Sequence, residues 1–291
     1  MTTSTSMSPL AVVSGASTGM GAAAAHELAQ RGYHVIAGVR RDRDGDAIRQ
    51  QGIEPVILDI TEPDHVASLR DRIATDPHGR PLRALVNNAG IAINAPVEAL
   101  PLDEWRHQFE VNLFGHIAVT QALLPALIES TGRVVNISSV GGKIAMATYG
   151  AYAGAKFALE AVSDSLRREL GPFGVHVIIV EPGAVRTEMS ARGIATANQL
   201  AAGMTEQQSG RYAALVQAVT AQAAAFGEAG LPAEKAARVI VRAVMDRRPR
   251  TRYTIGRDAA VLTRMARLLP DRALDRLLAA NLRPHLPATA V

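Results

Sequence analysis

Three side chains that could move a proton lie close together in this sequence. Tyr152 and Lys156 are four residues apart in the segment Y-A-G-A-K, and Ser139 lies thirteen residues before the tyrosine. Four residues make about one helical turn, so a helix here places the phenol and the ammonium on one face. A free phenol has a pKa near ~10, and a nearby ammonium lowers that pKa by favouring the phenolate. The pair is therefore suited to general acid–base chemistry near neutral pH.

Two residues near this set have side chains that could take the place of one of its members. Ser138 directly precedes Ser139, and adjacent residues on a strand face opposite sides, so one of the two hydroxyls faces away from the tyrosine. Tyr149 lies near Tyr152, but Ala153 stands four residues after it, where a lysine would be needed. We therefore expect Tyr149 to form a wall of a substrate pocket.

A glycine-rich segment near the N-terminus could hold a phosphate group. Gly15, Gly19 and Gly21 lie in S-G-A-S-T-G-M-G, between an apolar run and an Ala-rich helical pattern. Glycine lets the backbone turn sharply and approach a pyrophosphate, whose charge then meets the N-terminus of the helix. A glycine cluster alone is often only a turn, but its place between a strand and a helix favours nucleotide binding.

The elements that must position these residues alternate along the chain. Short apolar, β-branched runs predict parallel strands that are buried on both faces, and longer helical patterns separate them. This alternation predicts an α/β fold, a Rossmann-like doubly wound parallel sheet flanked by helices, which binds ligands beyond the carboxyl ends of its strands. The predicted strands are 10–14, 33–39, 54–58, 84–87, 132–138, 175–180 and 252–255, and the predicted helices are 20–30, 64–75, 102–129, 152–170 and 232–246.

The pattern predicts a single domain over residues 9–291 after a flexible leader over residues 1–8. Residues 188–230 are rich in Ala, Gln and Gly and weakly periodic, which predicts a helical lid over the substrate. Residues 258–291 form a C-terminal helical extension, with an amphipathic helix at 259–281 that is interrupted near Pro270. That helix could cover the pocket mouth, touch a membrane surface or pack against the core or a partner subunit, and we favour packing.

Composition limits the class of protein. A chain of 291 residues with 48% apolar and 20% charged residues can bury a large core, as soluble enzymes do. The absence of cysteine excludes disulfides and thiolate catalysis and fits a cytoplasmic location. The first nine residues carry no Lys or Arg, and no apolar run approaches ~18 residues, so neither a signal peptide nor a transmembrane helix is expected.

Charge and histidine placement narrow the set of partners. From Leu231 onward there are 13 basic and 5 acidic residues. This excess is either a solvated surface or a patch for an anionic partner such as acyl-carrier protein, CoA phosphates or anionic lipid. Nucleic acid is not expected because no binding motif accompanies the charge. The eight histidines lack metal-ligand spacing, so no metal site is expected.

The order of the motifs resembles that of the short-chain dehydrogenase/reductase family. The glycine loop has that family's G-x-x-x-G-x-G spacing, with Ser14 in a place that usually holds threonine. The N-N-A-G segment at 87–90 follows the fourth strand, Asn112 lies in a long helix, and P-G at 182–183 follows the sixth strand. The resemblance is close over residues 10–188, and the length and basic C-terminal extension resemble the steroid/retinol-dehydrogenase-like branch.

This resemblance implies a role for each member of a Ser–Tyr–Lys–Asn tetrad. Tyr152 would give its proton to a carbonyl oxygen as hydride arrives, or take the alcohol's proton in reverse. Ser139, which the family spacing selects over Ser138, would hydrogen-bond that oxygen. Lys156 would lower the pKa of the phenol and hold the nicotinamide ribose, and Asn112 would support a water that relays protons to solvent.

The end of the second strand indicates which nicotinamide cofactor is preferred. A dehydrogenase that reads a free ribose 2′-hydroxyl needs a carboxylate there, but the strand ends in Arg40 and Arg41, with no acid before Asp42. A guanidinium matches a 2′-phosphate in a bidentate manner. We therefore expect NADP(H), with Arg40 as the main contact and Arg41 as the second choice, although Ser17 and Thr18 stand where some NADP-selective relatives carry a basic residue.

The remaining assignments follow from the resemblance. Asp59 would bond the adenine amino group beside Ile60, and Thr187 would bond the nicotinamide carboxamide. The expected cofactor-binding residues are Gly15, Ser17, Thr18, Gly19, Met20, Gly21, Arg40, Arg41, Asp59, Ile60, Asn88, Ala89, Gly90, Tyr152, Lys156, Pro182, Gly183, Val185 and Thr187. The expected substrate-binding residues are Ser139, Met146, Tyr149, Tyr152 and Ala184.

The expected function is an NADP(H)-dependent oxidoreductase that interconverts a ketone or aldehyde and an alcohol on a hydrophobic substrate. One alternative is a 3-oxoacyl thioester reductase, acting on acyl-carrier-protein or CoA esters. An alternative of another class is a non-catalytic NADP(H)-sensing regulator, which would not need the tyrosine and lysine that this chain retains. By resemblance to the family, helices 102–129 and 152–170 would form the interfaces of a homodimer or homotetramer.

Overall fold

A parallel sheet of seven strands forms the middle layer of the computed structural model, which describes residues 8–287. Its strands are β1 Leu10–Val13, β2 His34–Val39, β3 Ile53–Ile57, β4 Leu82–Asn87, β5 Arg133–Ile137, β6 His176–Pro182 and β7 Arg252–Ile255. They lie in the order β3-β2-β1-β4-β5-β6-β7. The order reverses between β1 and β4, which creates a crevice at the carboxyl ends of the strands. The predicted Rossmann-like sheet is confirmed.

Helices cover both faces of this sheet. They are α1 Gly19–Gln30, α2 Asp42–Ile48, α3 Pro63–Ala74, α4 Leu102–Phe109, α5 Gly115–Glu129, α6 Gly150–Leu170, α7 Glu188–Ala202, α8 Glu206–Ala229, α9 Ala233–Met245, α10 Arg257–Leu268 and α11 Asp271–Leu282. Alternate residues of β1 enter different cores, because side chains on a strand point to opposite faces. Ala11 and Val13 pack in the core with α1 and α9, whereas Leu10 and Val12 pack with α3 and α5.

Two C-terminal segments agree with the sequence-based expectation, and one short helix was not expected. Residues 188–230 are helical, as predicted, and contain two long helices, α7 and α8. The last predicted helix is divided at Pro270 into α10 and α11, as expected. The short helix α2 was not predicted, because its sequence D-R-D-G-D-A-I is too polar and short to show a helical period. The expected leader lies outside the described residues apart from Ser8.

The segment 102–129 corrects the expectation about apolar runs. It is long and apolar enough, by length and composition, to cross a membrane, with a mean hydropathy of 1.5 and 44% of its most apolar window buried. Val119, Leu123 and Leu127 of α5 are fully buried against the sheet. A helix packed in a core needs an apolar face of this kind, so the composition has a structural cause.

Candidate active site

A cavity of about 780 Å³ opens at the carboxyl ends of the strands. It receives residues from the loops after each of the strands β1 to β6, as expected for a sheet of this topology. All but two of the predicted site residues line it, Gly21 and Arg41 being the exceptions. The predicted residues in its wall are Gly15, Ser17, Thr18, Gly19, Met20, Arg40, Asp59, Ile60, Asn88, Ala89, Gly90, Asn112, Ser139, Met146, Tyr149, Tyr152, Lys156, Pro182, Gly183, Ala184, Val185 and Thr187.

The glycine loop after β1 is locked to the turn after β4. The Ser14 hydroxyl accepts hydrogen bonds from the backbone N–H groups of Asn88 and Ala89, at 3.0 and 3.1 Å. Gly15 has a positive φ of 61°, and a Cβ there would lie 2.7 Å from the Cα of Ala89. Only glycine fits this approach. The loop therefore presents bare backbone to the cavity, directly before the N-terminus of α1.

Gly21 lies outside the cavity lining and is closely packed. A Cβ at this position would overlap the side-chain amide of Asn88 and the carbonyl of Gly15. That amide donates to the carbonyls of Ser14 and Gly15 at 3.0 and 3.1 Å. The third glycine of the motif thus lets α1 pack closely against the loop, outside the cavity lining.

The two arginines after β2 have different environments. Arg40 lines the cavity, whereas Arg41 lies outside its lining and faces Asp44, with its Nε 3.5 Å from the carboxylate. Asp59 also lines the cavity and accepts hydrogen bonds from the backbone and hydroxyl of Thr61, at 3.0 and 2.8 Å. Although burial acts to raise the pKa of Asp59, those bonds and the nearby Arg40 keep it below its ordinary value. The carboxylate therefore stays ionised and able to accept a further donor.

Ser139 and Tyr152 converge on one point. A Cβ built on Gly141 would lie 3.0 Å from Cε1 of Tyr152 and 3.4 Å from the Ser139 hydroxyl. The backbone N–H of Gly141 donates to that hydroxyl at 3.0 Å, which orients it. Tyr149 packs edge-on against Tyr152, with ring centroids 6.1 Å apart and an interplanar angle of 81°. The Ser139 hydroxyl and the rings of Tyr149 and Tyr152 thus lie together in the cavity wall.

The ionisation of the tyrosine and the lysine is governed by burial. Burial raises the pKa of Tyr152, and the hydrogen bond with Ser139 acts against this rise. Burial lowers the pKa of Lys156 to about 8, while the carboxylate of Glu160 acts to raise it. The ammonium of Lys156 donates to the carbonyl of Ile137 at 2.8 Å. The phenol pKa is therefore raised rather than lowered, because loss of solvent is the larger effect and the opposing effect comes from Ser139.

Asn112 occupies an irregular turn between α4 and α5. Residues Glu110–Phe114 form a π turn, a distortion that shifts backbone carbonyls out of their usual helical pairing. The side chain of Asn112 is fully buried, donates to the carbonyl of Ile91 and accepts from its N–H, both at 2.9 Å. Its amide thus holds the segment after β4, using one of its two N–H groups and one lone pair of its oxygen.

His116 is a buried member of the site that sequence reasoning placed only among scattered histidines. It lies one turn after Asn112 and is 1% exposed, and its Nε2 donates to the carbonyl of Ala89 at 2.7 Å. Burial and the charge of Lys156 lower its pKa to about 3, so the ring is neutral. No spacing signal marks it, because its partners come from other segments of the chain.

The end of the cavity beyond Tyr152 has mostly apolar walls. Part of this wall comes from the lid helices α7 and α8 and from the C-terminal helices α10 and α11. The lid is attached at its far end by Glu98, which accepts hydrogen bonds from Arg211 and from the Tyr212 hydroxyl at 2.6 and 2.8 Å. The apolar lining residues include Ile144, Met146, Ile194, Val219, Phe226, Leu262, Leu278 and Leu282.

Thr187 connects the lid to the glycine loop. It is the N-cap residue of α7, and its hydroxyl makes no capping hydrogen bond. Its Cγ2 would lie 3.2 Å from a Cβ on Gly19, so the N-termini of α1 and α7 meet at one place. Two helix N-termini make this part of the cavity favourable for negative charge. Among residues 8–287 no group of acidic or histidine side chains is arranged to hold a metal ion.

Comparison with known proteins agrees with this geometry. The family model described as short chain dehydrogenase matches residues 9–198. Retinol dehydrogenase 5 of Mus musculus is 36% identical over 287 residues, which cover 91% of this chain and 86% of that protein. The NADPH-dependent 3-dehydrocapnine reductase of Ornithobacterium rhinotracheale is 31% identical over 282 residues, covering 94% of this chain and 97% of the relative.

Solved structures show the same fold. A short chain dehydrogenase from Burkholderia cenocepacia in complex with NADP has a TM-score of 0.71 and 26% identity, and covers 94% of this chain and 97% of its own. Other structures of this fold include a metagenomic short-chain oxidoreductase in complex with NADP and a short chain dehydrogenase/reductase from Burkholderia phymatum in complex with NAD.

Proposed function

The chain belongs to the short-chain dehydrogenase/reductase family, in its retinol-dehydrogenase-like branch, and from this premise we propose an NADP(H)-dependent interconversion of a ketone or aldehyde and an alcohol on a hydrophobic substrate. Oxidoreductase chemistry on CH–OH groups is common to its named relatives. The observation that carries the finer proposal is the convergence of Ser139 and Tyr152 between a glycine loop and an apolar pocket.

The residues present fit a nicotinamide dinucleotide. Bare backbone at Gly15 and the paired N-termini of α1 and α7 suit a pyrophosphate, and Asp59 retains acceptor capacity for an adenine amino group. We assign the nicotinamide side to Val185 and Thr187, which line the cavity beside Tyr152. When bound, the dinucleotide supplies hydride to a carbonyl carbon or accepts it from an alcohol carbon.

In the reduction, Tyr152 gives its phenolic proton to the carbonyl oxygen as that carbon gains hydride. Burial suits this step, because it keeps the phenol protonated until the oxygen develops negative charge. The Ser139 hydroxyl, fixed by the N–H of Gly141, donates to the same oxygen and stabilises that charge. Lys156 then stabilises the phenolate electrostatically, and reprotonation proceeds through water at the π turn that contains Asn112. In the oxidation each proton moves in the opposite direction.

The catalytic role of the tyrosine is tested by removing its hydroxyl. Tyr152→Phe should lower kcat by at least ~100-fold, as expected for loss of a general acid. NADPH binding, followed by its fluorescence, should stay unchanged. Tyr149→Phe is the matched control, since it removes a neighbouring phenol and should retain most of the activity. Residual turnover within ~10-fold of the wild type in Tyr152→Phe would contradict the mechanism.

The preference for the phosphorylated cofactor rests on Arg40. We expect wild-type kcat/KM to be higher with NADPH than with NADH. Arg40→Ala should reduce kcat/KM for NADPH by about 10- to 100-fold, because a hydrogen bond to a charged group is lost. The value of kcat/KM for NADH should stay nearly unchanged. Arg41→Ala is the control, because Arg41 faces Asp44 outside the cavity lining. Equal wild-type values for the two cofactors, or a higher value with NADH, would contradict the assignment of Arg40 to the 2′-phosphate.

The substrate class is proposed from the apolar wall that α7, α8, α10 and α11 contribute. A screen of steroids, retinoids, small ketones and acyl thioesters with NADPH distinguishes the candidates. Turnover confined to acyl thioesters would favour the 3-oxoacyl thioester reductase. Tight NADPH binding without oxidation by any compound would favour the sensing regulator and reject an enzyme of this specificity.

We also propose a homodimer or homotetramer in the cytoplasm. Phe114 and Phe157 are 52% and 44% exposed on the helical segments that the family resemblance assigns to subunit interfaces. Large exposed aromatic side chains of this kind are common at interfaces. Sedimentation analysis of the wild type and of Phe157→Ser tests this assignment, since the variant should shift toward a smaller assembly.

A further inference from the structure

The loop between β6 and α7 is held by the C-terminal third of the chain. The N–H of Gly183 donates to the carbonyl of Ile255 in β7 at 2.9 Å. The Leu231 backbone, just before α9, donates to the carbonyl of Ala184 at 3.0 Å and accepts from the N–H of Arg186 at 2.9 Å. These bonds are all between backbone groups. The N–H of Ala184 is bonded differently.

Asp258 supplies the side chain that bonds this N–H. Its Oδ2 accepts from the N–H of Ala184 at 3.0 Å, although 74 residues separate the two in sequence. Asp258 is the second residue of α10, so its carboxylate is carried by the first turn of the C-terminal extension. The same carboxylate lies in the wall of the active-site cavity, together with Gly183, Ala184 and Tyr152.

Two glycines make room for this carboxylate. A Cβ on Gly183 would overlap Oδ2 of Asp258, and a Cβ on Gly256 would overlap its Oδ1. Gly256 also has a positive φ of 98°, which turns the chain sharply from β7 into α10. A side chain at either glycine would therefore require the carboxylate of Asp258 to move from its present position.

We propose that Asp258 is a positioning residue, which fixes the Ala184 amide and thereby the loop 183–187 against the reacting carbonyl and the nicotinamide. This inference rests on the proposed function, because that function places the two reacting groups beside the loop. Without Asp258, the loop would keep its backbone bonds to Ile255 and Leu231 and lose the anchor between them. An N–H left unpaired at the cavity wall would also move toward a new acceptor.

The experiment compares Asp258→Ala with Asp258→Asn, which keeps an acceptor oxygen, and with Asp271→Ala. Asp271 is the matched control, because it is likewise an acidic residue in the first turn of a C-terminal helix. Asp258→Ala should reduce kcat/KM for NADPH about 10-fold, the worth of one hydrogen bond to a charged group. Asp258→Asn should restore most of that loss, and Asp271→Ala should match the wild type.

A second readout does not depend on turnover. Hydrogen exchange in peptides that contain residue 184 should be faster in Asp258→Ala than in the wild type, and unchanged in Asp271→Ala. The inference is overturned if Asp258→Ala matches the wild type in both exchange and kinetics, or if Asp271→Ala shows the same losses. If the wild type does not oxidise NADPH, the proposed function is rejected but the role of Asp258 is not. The hydrogen-exchange result would still show whether Asp258 holds the Ala184 amide.

Suppression between two sites provides a further check. Gly183→Ala should weaken NADPH binding, because the new methyl group meets the Asp258 carboxylate. Adding Asp258→Ala to that variant removes the overlap and should recover part of the binding. A double variant that binds no better than Gly183→Ala would show that the carboxylate is not what the loop is fitted to.

Discussion

Lys156 lies in a row of polar side chains along α6, each four residues from the next, with Tyr152 before it and Glu160 and Asp164 after it. Glu160 is 5% exposed, and its carboxylate is 2.6 Å from the Lys143 ammonium and 3.0 Å from the Arg252 guanidinium. Burial lowers the pKa of Lys156, and the Glu160 carboxylate is the charged group that raises it.

This arrangement predicts how the activity depends on pH through the charge of Lys156. Lys156 loses its proton near pH 8, so kcat/KM for reduction should fall above about that pH. Glu160→Gln removes a negative charge beside the ammonium, which disfavours the charged lysine, so the fall should begin at lower pH. Asp164→Asn is the control, since it also contacts Arg252 but lies two turns from Lys156. An unchanged profile in Glu160→Gln would contradict this coupling.

Buried hydrogen bonds hold the elements of the site in register. The side-chain amide of Asn87, at the end of β4, donates to Thr120 of α5 at 2.9 Å and to Asn136 of β5 at 2.8 Å. The amide of Asn136 then donates to Ser163 of α6 at 2.8 Å. This chain of bonds crosses the sheet between the helix that follows Asn112 and the helix that carries Tyr152 and Lys156. Buried polar groups must be paired, so it specifies how the two helices align.

Helix α3 is attached to β3 by ionic contacts. The guanidinium of Arg72 bonds both carboxylate oxygens of Glu54, at 2.7 and 2.6 Å, and Asp76 at 3.0 Å. The hydrogen bond from Arg72 lowers the pKa of Glu54 to about 2, and His34 contributes to the same effect. A carboxyl group whose folded pKa lies below its unfolded value stabilises the fold above the unfolded value.

This attachment predicts how stability depends on pH. The contribution of Glu54 should be complete above about pH 4.5 and disappear as the pH falls through about 2. Glu54→Gln should therefore lower the free energy of unfolding at pH 7 by about 1 kcal/mol, measured in urea, with a smaller difference at pH 3. Asp103→Asn, at a side chain that is 92% exposed, should change it by less than ~0.5 kcal/mol at either pH. A difference in Glu54→Gln that grows toward low pH would contradict the assignment.

The whole molecule assembles its active site from both ends of the chain. The first third supplies the glycine loop and Arg40, and the last third supplies the loop anchor Asp258 and the walls from α10 and α11. The excess of positive charge is not concentrated at this site. Arg247, Arg248 and Arg250 precede β7, which runs parallel to its neighbour, so they lie at the amino ends of the strands, opposite the cavity. This placement favours a solvated surface over a contact for cofactor or CoA phosphates.

Much of the fold and of the candidate site follows from the sequence, because the interactions that determine them join residues close together in the chain. Apolar runs of strand length, glycines before a helix, and Tyr152 four residues before Lys156 have meaning within a few residues of chain. Given the geometry of strands and helices, these patterns predict a parallel sheet, a phosphate-binding loop and a helix face shared by the two side chains. The fold could therefore be predicted without coordinates, and all but two of the predicted site residues line the cavity.

The tertiary structure decided what depends on residues that are distant in sequence. It placed Arg40 in the cavity and Arg41 outside, gave Gly21 a packing role, and brought Asp258 to Ala184 across 74 residues. It also reversed the expected pKa shift of Tyr152, because burial depends on every segment packed around the phenol. Desolvation and long-range hydrogen bonds have no period along a chain, so no local pattern in the sequence encodes them.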